Sequence, residues 1–84
     1  MNDMDLKIKA IAANIRLKRE FRNYTQEYLA AKLDISQNAY SKIELGYTKI
    51  TLERLFQIAA VLEYDVYDFI NFNSADMIKL ARQA

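Results

Sequence analysis

The sequence predicts an all-α fold, a compact domain of five or six helices, and three features carry that prediction. Proline is absent and glycine occurs once in 84 residues, so few positions interrupt a helix. Runs of β-branched residues are short, and apolar residues recur every three or four positions, which is the helical period. We expect one domain over residues 1–84, with its core at about 6–70 and a C-terminal tail or short helix at 71–84.

The first predicted helix runs from about residue 6 to 22 and is amphipathic. Asn23 follows it and tolerates the left-handed conformation that ends many helices. The apolar residues of this helix fall in two rows with basic residues between them: Ile8, Ile11 and Ile15 in one, Leu17 and Phe21 in the other.

Two short helices follow, separated by a tight turn. In "TQEYLAAKL", Thr25 is the predicted N-cap, and the leucines lie four apart on a buried face. The turn is "DIS", in which Asp34 takes the left-handed conformation and Ser36 caps the next helix, residues 36–45. The inward residues of this pair are Leu29, Leu33, Tyr40 and Ile43, and Gly46 is the predicted C-cap.

The C-terminal half contains two or three further predicted helices. The fourth helix, "LERLFQIAAVL", is capped by Thr48 or Thr51 and is followed by a short helix, "VYDFINF". The tail "SADMIKLARQA" forms a sixth helix if Ser74 caps it. The predicted apolar stripe of the fourth helix is Leu52, Leu55, Phe56, Ala59 and Leu62. In the tail helix, Met77, Ile78 and Ala81 lie on one side.

Composition argues against most enzyme classes. Cysteine and histidine are absent, which removes the usual transition-metal ligands and the commonest general base. A single glycine does not make a phosphate-binding loop, so we predict neither catalysis nor a cofactor nor a metal. The lack of cysteine and of any long apolar run favours a cytoplasmic protein without a membrane span.

The charge is small but unevenly distributed. The net charge is +1, with six Lys/Arg against three Asp/Glu in residues 1–22 and three against five in residues 51–84. The basic residues of the first helix either attract nucleic acid or serve as ordinary solubility charges, and we favour solubility. These residues are Lys7, Lys9, Arg16 and Arg22.

The third helix presents polar groups that its own fold does not need. Two helices joined by a turn of about three residues fit a helix-turn-helix, whose second helix enters the DNA major groove. The outward residues of the third helix are Gln37, Asn38, Ser41 and Lys42. Glutamine and asparagine pair with adenine, lysine donates to guanine, and serine serves either base.

The stretch "TQEYLAAKLDISQNAYSKIELG" resembles the lambda-repressor-like, Cro-type family of helix-turn-helix regulators of bacteria and phages. The likeness extends from about Ile11 to Ile70. The resemblance implies a lambda-repressor-like fold and a transcriptional regulator that binds double-stranded DNA. It further implies base reading by Gln37, Asn38 and Lys42, with Ser41 as a base or phosphate contact.

The resemblance also implies roles around the recognition helix. Gln26 would hold a phosphate at a helix N-terminus, and Tyr47, Thr48 and Lys49 would grip the backbone on the other side. For Tyr47, covering the loop is an equal alternative. Arg19 and Glu44 would form a structural salt bridge between the first and third helices.

The sequence departs from the family at four positions. Asn23, Asp34 and Glu63 stand where glycine is common in the family. Asparagine and aspartate tolerate a positive φ, so only Glu63 predicts a different end, that of the fourth helix. Lys18 stands at a usually apolar position.

The expected partner beyond DNA is a second copy of the chain, on an operator of two-fold symmetry. The segment "YDVYDFINFNSADMIKL" has more apolar side chains than a short tail needs, so it either covers a partner or packs on its own core. Two alternatives remain: an antitoxin or other module that binds a small protein, and a restriction–modification controller protein.

Overall fold

The computed structural model describes residues 2–71 and 73–82, and within them it contains helices and no strand. The prediction of an all-α fold is confirmed, and the domain measures 32 × 22 × 22 Å. The six helices are α1 (Asp3–Phe21), α2 (Gln26–Leu33), α3 (Gln37–Glu44), α4 (Leu52–Leu62), α5 (Tyr67–Ile70) and α6 (Ser74–Ala81).

The first helix begins at Asp3, three residues before the predicted start at about residue 6, so the predicted start was wrong. Asn2 is its N-cap, and the Asn2 side chain accepts a hydrogen bond from the backbone N–H of Asp5 at 2.8 Å. Asp3 and Asp5 lie in the first turn, where a carboxylate interacts favourably with the helix dipole. Local capping therefore extends α1 beyond the part that its apolar pattern predicts.

Three helices end in a left-handed residue that is not glycine. The φ angles are 62° at Asn23, 58° at Asp34 and 62° at Glu63. At the end of α4, the N–H of Glu63 donates to Ala60 O (3.3 Å) and that of Tyr64 donates to Ala59 O (3.0 Å). The predicted left-handed conformations of Asn23 and Asp34 are confirmed. The prediction that α4 ends differently because Glu63 replaces glycine is wrong.

Arg22 stabilises the same end of α4. Its guanidinium donates to the carbonyl oxygens of Leu62 (2.8 Å) and Glu63 (3.1 Å), and it lies 4.5 Å from the ring centroid of Tyr64. These carbonyls have no partner within the helix, so an arginine is a favourable cap. Arg22 is thus a structural residue rather than the solubility charge that we favoured.

One core joins the first five helices. Its two largest fully buried side chains are those of Tyr40 and Phe69. The inward positions predicted for the helix pair, Leu29, Leu33, Tyr40 and Ile43, are all buried, which confirms that part of the pattern. The other buried members of the core are Ile15, Ala30, Leu55, Ile58, Ala59, Leu62 and Phe69.

Part of the predicted apolar pattern is exposed. Phe21 is 77% exposed and Leu17 lies beside it on the surface, so the second row of α1 is not a core row. Leu52 and Phe56 are exposed as well. On α4, Leu52 is in the first turn, at the end of the stripe, and Phe56 lies one position off the buried set. That set is Leu55, Ile58, Ala59 and Leu62, and Ile58 was missing from the prediction.

Lys18 is accommodated by a polar cluster with α5. Its ammonium donates to Asn14 Oδ1 (3.0 Å), and Asn14 Nδ2 donates to the carbonyl of Asp68 (3.0 Å). The ammonium also lies 5.1 Å from the ring centroid of Tyr64. Burial lowers the pKa of Lys18, and the negative charge of Asp68 partly opposes that shift. A lysine at this position therefore connects α1 to α5 through polar contacts.

The last helix lies along α1. Ala10 and Ala13 of α1 are fully buried, and small residues of this kind allow helices to approach closely. The N-cap of α6 is Asn73, which accepts from the N–H of Asp76 at 2.8 Å, so the prediction of Ser74 was wrong. Phe72 and residues 83–84 of the predicted tail lie outside the described residues.

Candidate nucleic-acid interface

The helix-turn-helix is formed by α2, α3 and the three residues between them. Asp34 has the left-handed conformation, and the N–H of Ile35 donates to Ala30 O at 3.0 Å, which turns the chain at the end of α2. The hydroxyl of Ser36 then accepts from the N–H of Ala39 at 3.0 Å and starts α3. Both predicted capping residues of the turn are confirmed.

The predicted base-reading residues share the outer face of α3. Gln37, Asn38 and Lys42 are exposed, and Ser41 is half-buried. Tyr40, on the opposite face, is fully buried. Within the part of the chain that the structure describes, no protein hydrogen bond or ion pair engages the side chains of the three exposed residues. Their polar groups are therefore free to bind another molecule.

The carboxylate of Glu44 fixes the position of α3 against α1. Arg19 donates to it twice, from Nε to Oε2 (2.6 Å) and from Nη2 to Oε1 (3.0 Å). This two-pronged geometry is the strongest form of the contact. The remaining nitrogen of Arg19, Nη1, donates to the carbonyl of Tyr24 (2.9 Å). The predicted salt bridge is present in the structure.

Two more donors reach the same carboxylate. The Tyr40 hydroxyl donates to Glu44 Oε2 (2.5 Å), and Gln26 Nε2 donates to Oε1 (3.1 Å). The hydrogen bond to Glu44 raises the pKa of Arg19, whereas burial is the main cause that raises the pKa of Tyr40. Glu44 thus accepts from four donors in three helices, and none of its buried oxygen atoms is unsatisfied.

Gln26 is the first residue of α2, where the resemblance implies a phosphate contact. Its side chain is half-buried and its amide nitrogen is bonded to Glu44. Thr25, the N-cap, accepts from the N–H of Tyr28 at 3.0 Å. The N–H groups of Gln26 and Glu27 have no partner within the helix and point from its N-terminus, which is the arrangement that favours an anion.

A short loop connects α3 to α4. Gly46 has a φ of 76°, and the N–H of Tyr47 donates back to Lys42 O at 3.0 Å, so the predicted C-cap is confirmed. Tyr47, Thr48 and Lys49 are exposed. The ring of Tyr47 is 74% exposed, so it covers little of the loop.

The choice between two capping threonines is settled at the start of α4. The hydroxyl of Thr51 accepts from the N–H of Arg54 at 3.0 Å. Thr48 lies in the loop. The loop therefore ends at Thr51, and Thr48 is exposed within it.

A shallow depression of about 520 Å³ separates α3 from α4, and it adds one cation that sequence reasoning missed. Arg54 lines it together with Asn38, Lys42 and Lys49. The Arg54 guanidinium donates to Gln57 Oε1 (3.0 Å). The sequence "TLERL" shows Arg54 three residues after the cap of α4. Only the packing of α4 against α2 brings Arg54 next to the exposed face of α3.

The sequence profile of the helix-turn-helix family HTH_3 matches residues 15–69, which is well over half of the chain. The chain belongs to this helix-turn-helix family. The match shows that the protein is a DNA-binding regulator in general terms, and it confirms the lambda-repressor-like, Cro-type resemblance. The search of curated proteins and the search of solved structures each returned no match.

The helix-turn-helix match leaves two segments outside it. These are residues 1–14, which include most of α1, and residues 70–84, which include α6. They pack against each other, since α6 lies along α1. The family's common part, from residue 15 to 69, holds both helices of the motif and the Arg19–Glu44 pair.

Two further features are absent from the described part of this helix-turn-helix protein. Residues 2–71 and 73–82 contain no cluster of three or more potential metal-ligating His, Cys, Asp or Glu side chains. Over the same ranges, no helix is both long and apolar enough to span a bilayer.

Proposed function

We propose that α3 enters the major groove of a bacterial or phage operator and reads base edges through Gln37, Asn38 and Lys42. One observation carries this proposal. The exposed polar side chains of α3 have no protein partner among the described residues, and four hydrogen bonds to the Glu44 carboxylate fix α3 in position. Preorganised donors and acceptors of this kind pair with bases at little cost in side-chain or helix reordering.

Phosphate contacts on both sides of α3 would orient it. Gln26 contributes from the start of α2, through its free backbone N–H and the side chain bonded to Glu44. Tyr47, Thr48 and Lys49 contribute from the loop. Ser41, at the edge of the reading face, would serve as a base or phosphate contact. These contacts position the helix without specifying sequence.

Selection of bound duplexes from a random library tests base reading. Wild type is compared with Gln37→Ala, Asn38→Ala and Lys42→Ala, and Lys79→Ala in α6 is the control for loss of a lysine. Each reading variant should relax particular positions by ~1–3 kcal/mol, while the control keeps the wild-type site. If nothing enriches at low salt, where phosphate contacts are strongest, base reading by this chain is wrong.

We further propose a homodimer on a two-fold symmetric operator, with half-sites about one helical turn, or ~34 Å, apart. A domain with a net charge of +1 has few phosphate contacts, so a second copy supplies affinity. In the segment that either covers a partner or packs on its own core, Tyr67 and Ile70 are exposed, whereas Phe69 beside them is fully buried. Phe72, also in this segment, lies outside the described residues.

Oligomeric state tests the dimer. Sedimentation of wild type and of Tyr67→Ser/Ile70→Ser should show a dimer only for wild type. Phe21→Ser, another exposed aromatic residue, is the control and should remain dimeric. Co-purification of a second, different chain in place of the dimer would favour the antitoxin or protein-interaction alternative.

A further inference from the structure

A groove of about 690 Å³ lies beside the loop that follows α3. The first turns of α1 form one wall and the loop from Gly46 to Ile50 forms the other. The α1 wall lies before residue 15, outside the segment that the family profile matches. The groove therefore joins a segment outside the matched region to the loop within it.

The groove has an apolar lining with exposed aromatic and thioether groups. Met4 is 64% exposed and the Tyr47 ring faces solvent, while Ile8 and Ile50 are half-buried beneath them. Exposed apolar groups grouped around a concavity of this volume are typical of small-molecule sites. Tyrosine and methionine both pack favourably against an aromatic ring.

Two lysines give the groove a positive rim. Lys9 and Lys49 line it, and neither forms an ion pair among the described residues. The stem of Lys9 lies against the loop, because a Cβ added to Gly46 would be 3.4 Å from Lys9 Cγ. Asp5 also lines the groove, so two positive charges oppose one negative charge. The charge of the rim favours an anion with one carboxylate.

We propose that this groove binds a small aromatic carboxylate and is an effector site. The ring would lie between Met4 and Tyr47, and the carboxylate would pair with the ammonium groups of Lys9 and Lys49. The consequence for DNA rests on the proposed function, because Lys49 and Tyr47 are also proposed backbone contacts. A bound carboxylate occupies Lys49 and adds negative charge beside the phosphates, so it weakens DNA binding, and DNA equally weakens ligand binding.

The first test measures binding without DNA. Titration with 2-naphthoate, followed by amide chemical shifts, should perturb residues 46–50 and the first turns of α1, with a dissociation constant of about 1 mM or tighter. The neutral 2-naphthamide should bind at least about fivefold more weakly. Equal binding of the two compounds, or shifts spread over Phe21 and Phe56 as well, would overturn the proposal.

Variants on the exposed rim make the test specific. Lys9→Gln should weaken 2-naphthoate about fivefold, and Met4→Glu should abolish its binding by repulsion. Lys7→Gln, on the same helix but outside the groove, should change nothing. If Lys9→Gln weakens DNA binding and leaves 2-naphthoate unaffected, Lys9 serves the DNA backbone and the effector site is wrong.

The second test adds a duplex at low salt. Saturating 2-naphthoate should weaken DNA binding about fivefold in wild type and have no effect in Met4→Glu. If the groove binds 2-naphthoate but the protein binds no duplex, the proposed function fails while the ligand site stands. If the protein binds DNA and 2-naphthoate has no effect on it, the effector role is overturned.

Discussion

The guanidinium of Arg19 and the carboxylate of Glu44 meet through two hydrogen bonds, of 2.6 and 3.0 Å, in the space between α1 and α3. Glu44 is only 2% exposed, so Arg19 is the partner that compensates a buried carboxylate. The pair joins the helix that would read DNA to the longest helix of the domain. Loss of either member should therefore affect stability and DNA binding together.

Arg19→Met should lower the free energy of unfolding by ~3–5 kcal/mol, because it leaves the Glu44 carboxylate buried without its cation. Chemical denaturation measures the change. The control is Arg16→Met, which removes the exposed Arg16–Glu20 pair at 3.4 Å and should cost at most ~1 kcal/mol. Equal losses in the two variants would show that burial of Glu44 has no energetic consequence.

Tyr40 should make the domain sensitive to alkaline pH. In the unfolded chain its phenol ionises near the ordinary value of 10.0, and burial raises its pKa in the folded state. The stabilisation is complete below pH 10 and decreases as the pH rises above it, because the unfolded state then releases a proton that the folded state keeps.

Unfolding of Tyr40→Phe checks this pH dependence. Near pH 7 the variant should lose ~1.5–3 kcal/mol with the hydrogen bond to Glu44. Between pH 10 and 11 its stability should decline less steeply than that of wild type. Tyr47→Phe, at an exposed position, should follow the wild-type curve. A parallel decline in all three proteins would contradict the assignment to Tyr40.

Glu63→Gly should stabilise the domain by ~0.5–1 kcal/mol, since glycine adopts the φ of 62° without the steric cost of a side chain. Gly46→Ala should have the opposite effect, of ~1–2 kcal/mol, because a residue with a Cβ is strained at a φ of 76°. Thermal unfolding of both variants shows whether each one gains or loses stability relative to wild type. Destabilisation by Glu63→Gly would mean that its side chain contributes more than its conformation costs.

Thr51→Ala should cost ~1 kcal/mol, because the hydroxyl that accepts from Arg54 N–H is lost from the start of α4. Thr48→Ala removes the same group from the exposed loop and should stay within ~0.5 kcal/mol of wild type. Denaturant unfolding compares the two. A larger loss for Thr48→Ala would contradict the observed cap.

Local rules predicted the motif well. Thr25, Ser36 and Gly46 cap their helices as the sequence indicates, and Asp34 turns the chain between α2 and α3. Such signals depend on a few neighbouring residues, so a single sequence contains them. The inward face of Tyr40 and the outward face of Gln37 follow from the helical period alone.

Features that depend on packing could not be predicted in this way. The sequence does not show that Arg22 reaches the carbonyl of Leu62, because the contact joins residues 40 apart. Phe21 and Phe56 have core-like side chains, and only the arrangement of the helices leaves them exposed. The four hydrogen bonds to Glu44 come from three residues in three helices, and the resemblance implied only one of these residues, Arg19.

The convergence on Glu44 also limits how this protein can be regulated. The carboxylate ties α3 to α1 through Arg19 and to α2 through Gln26, so tilting α3 would break several hydrogen bonds at once. A switch that reorients α3 within the domain is therefore energetically costly. Control of this regulator would have to act elsewhere in the domain, for example on the loop that follows α3.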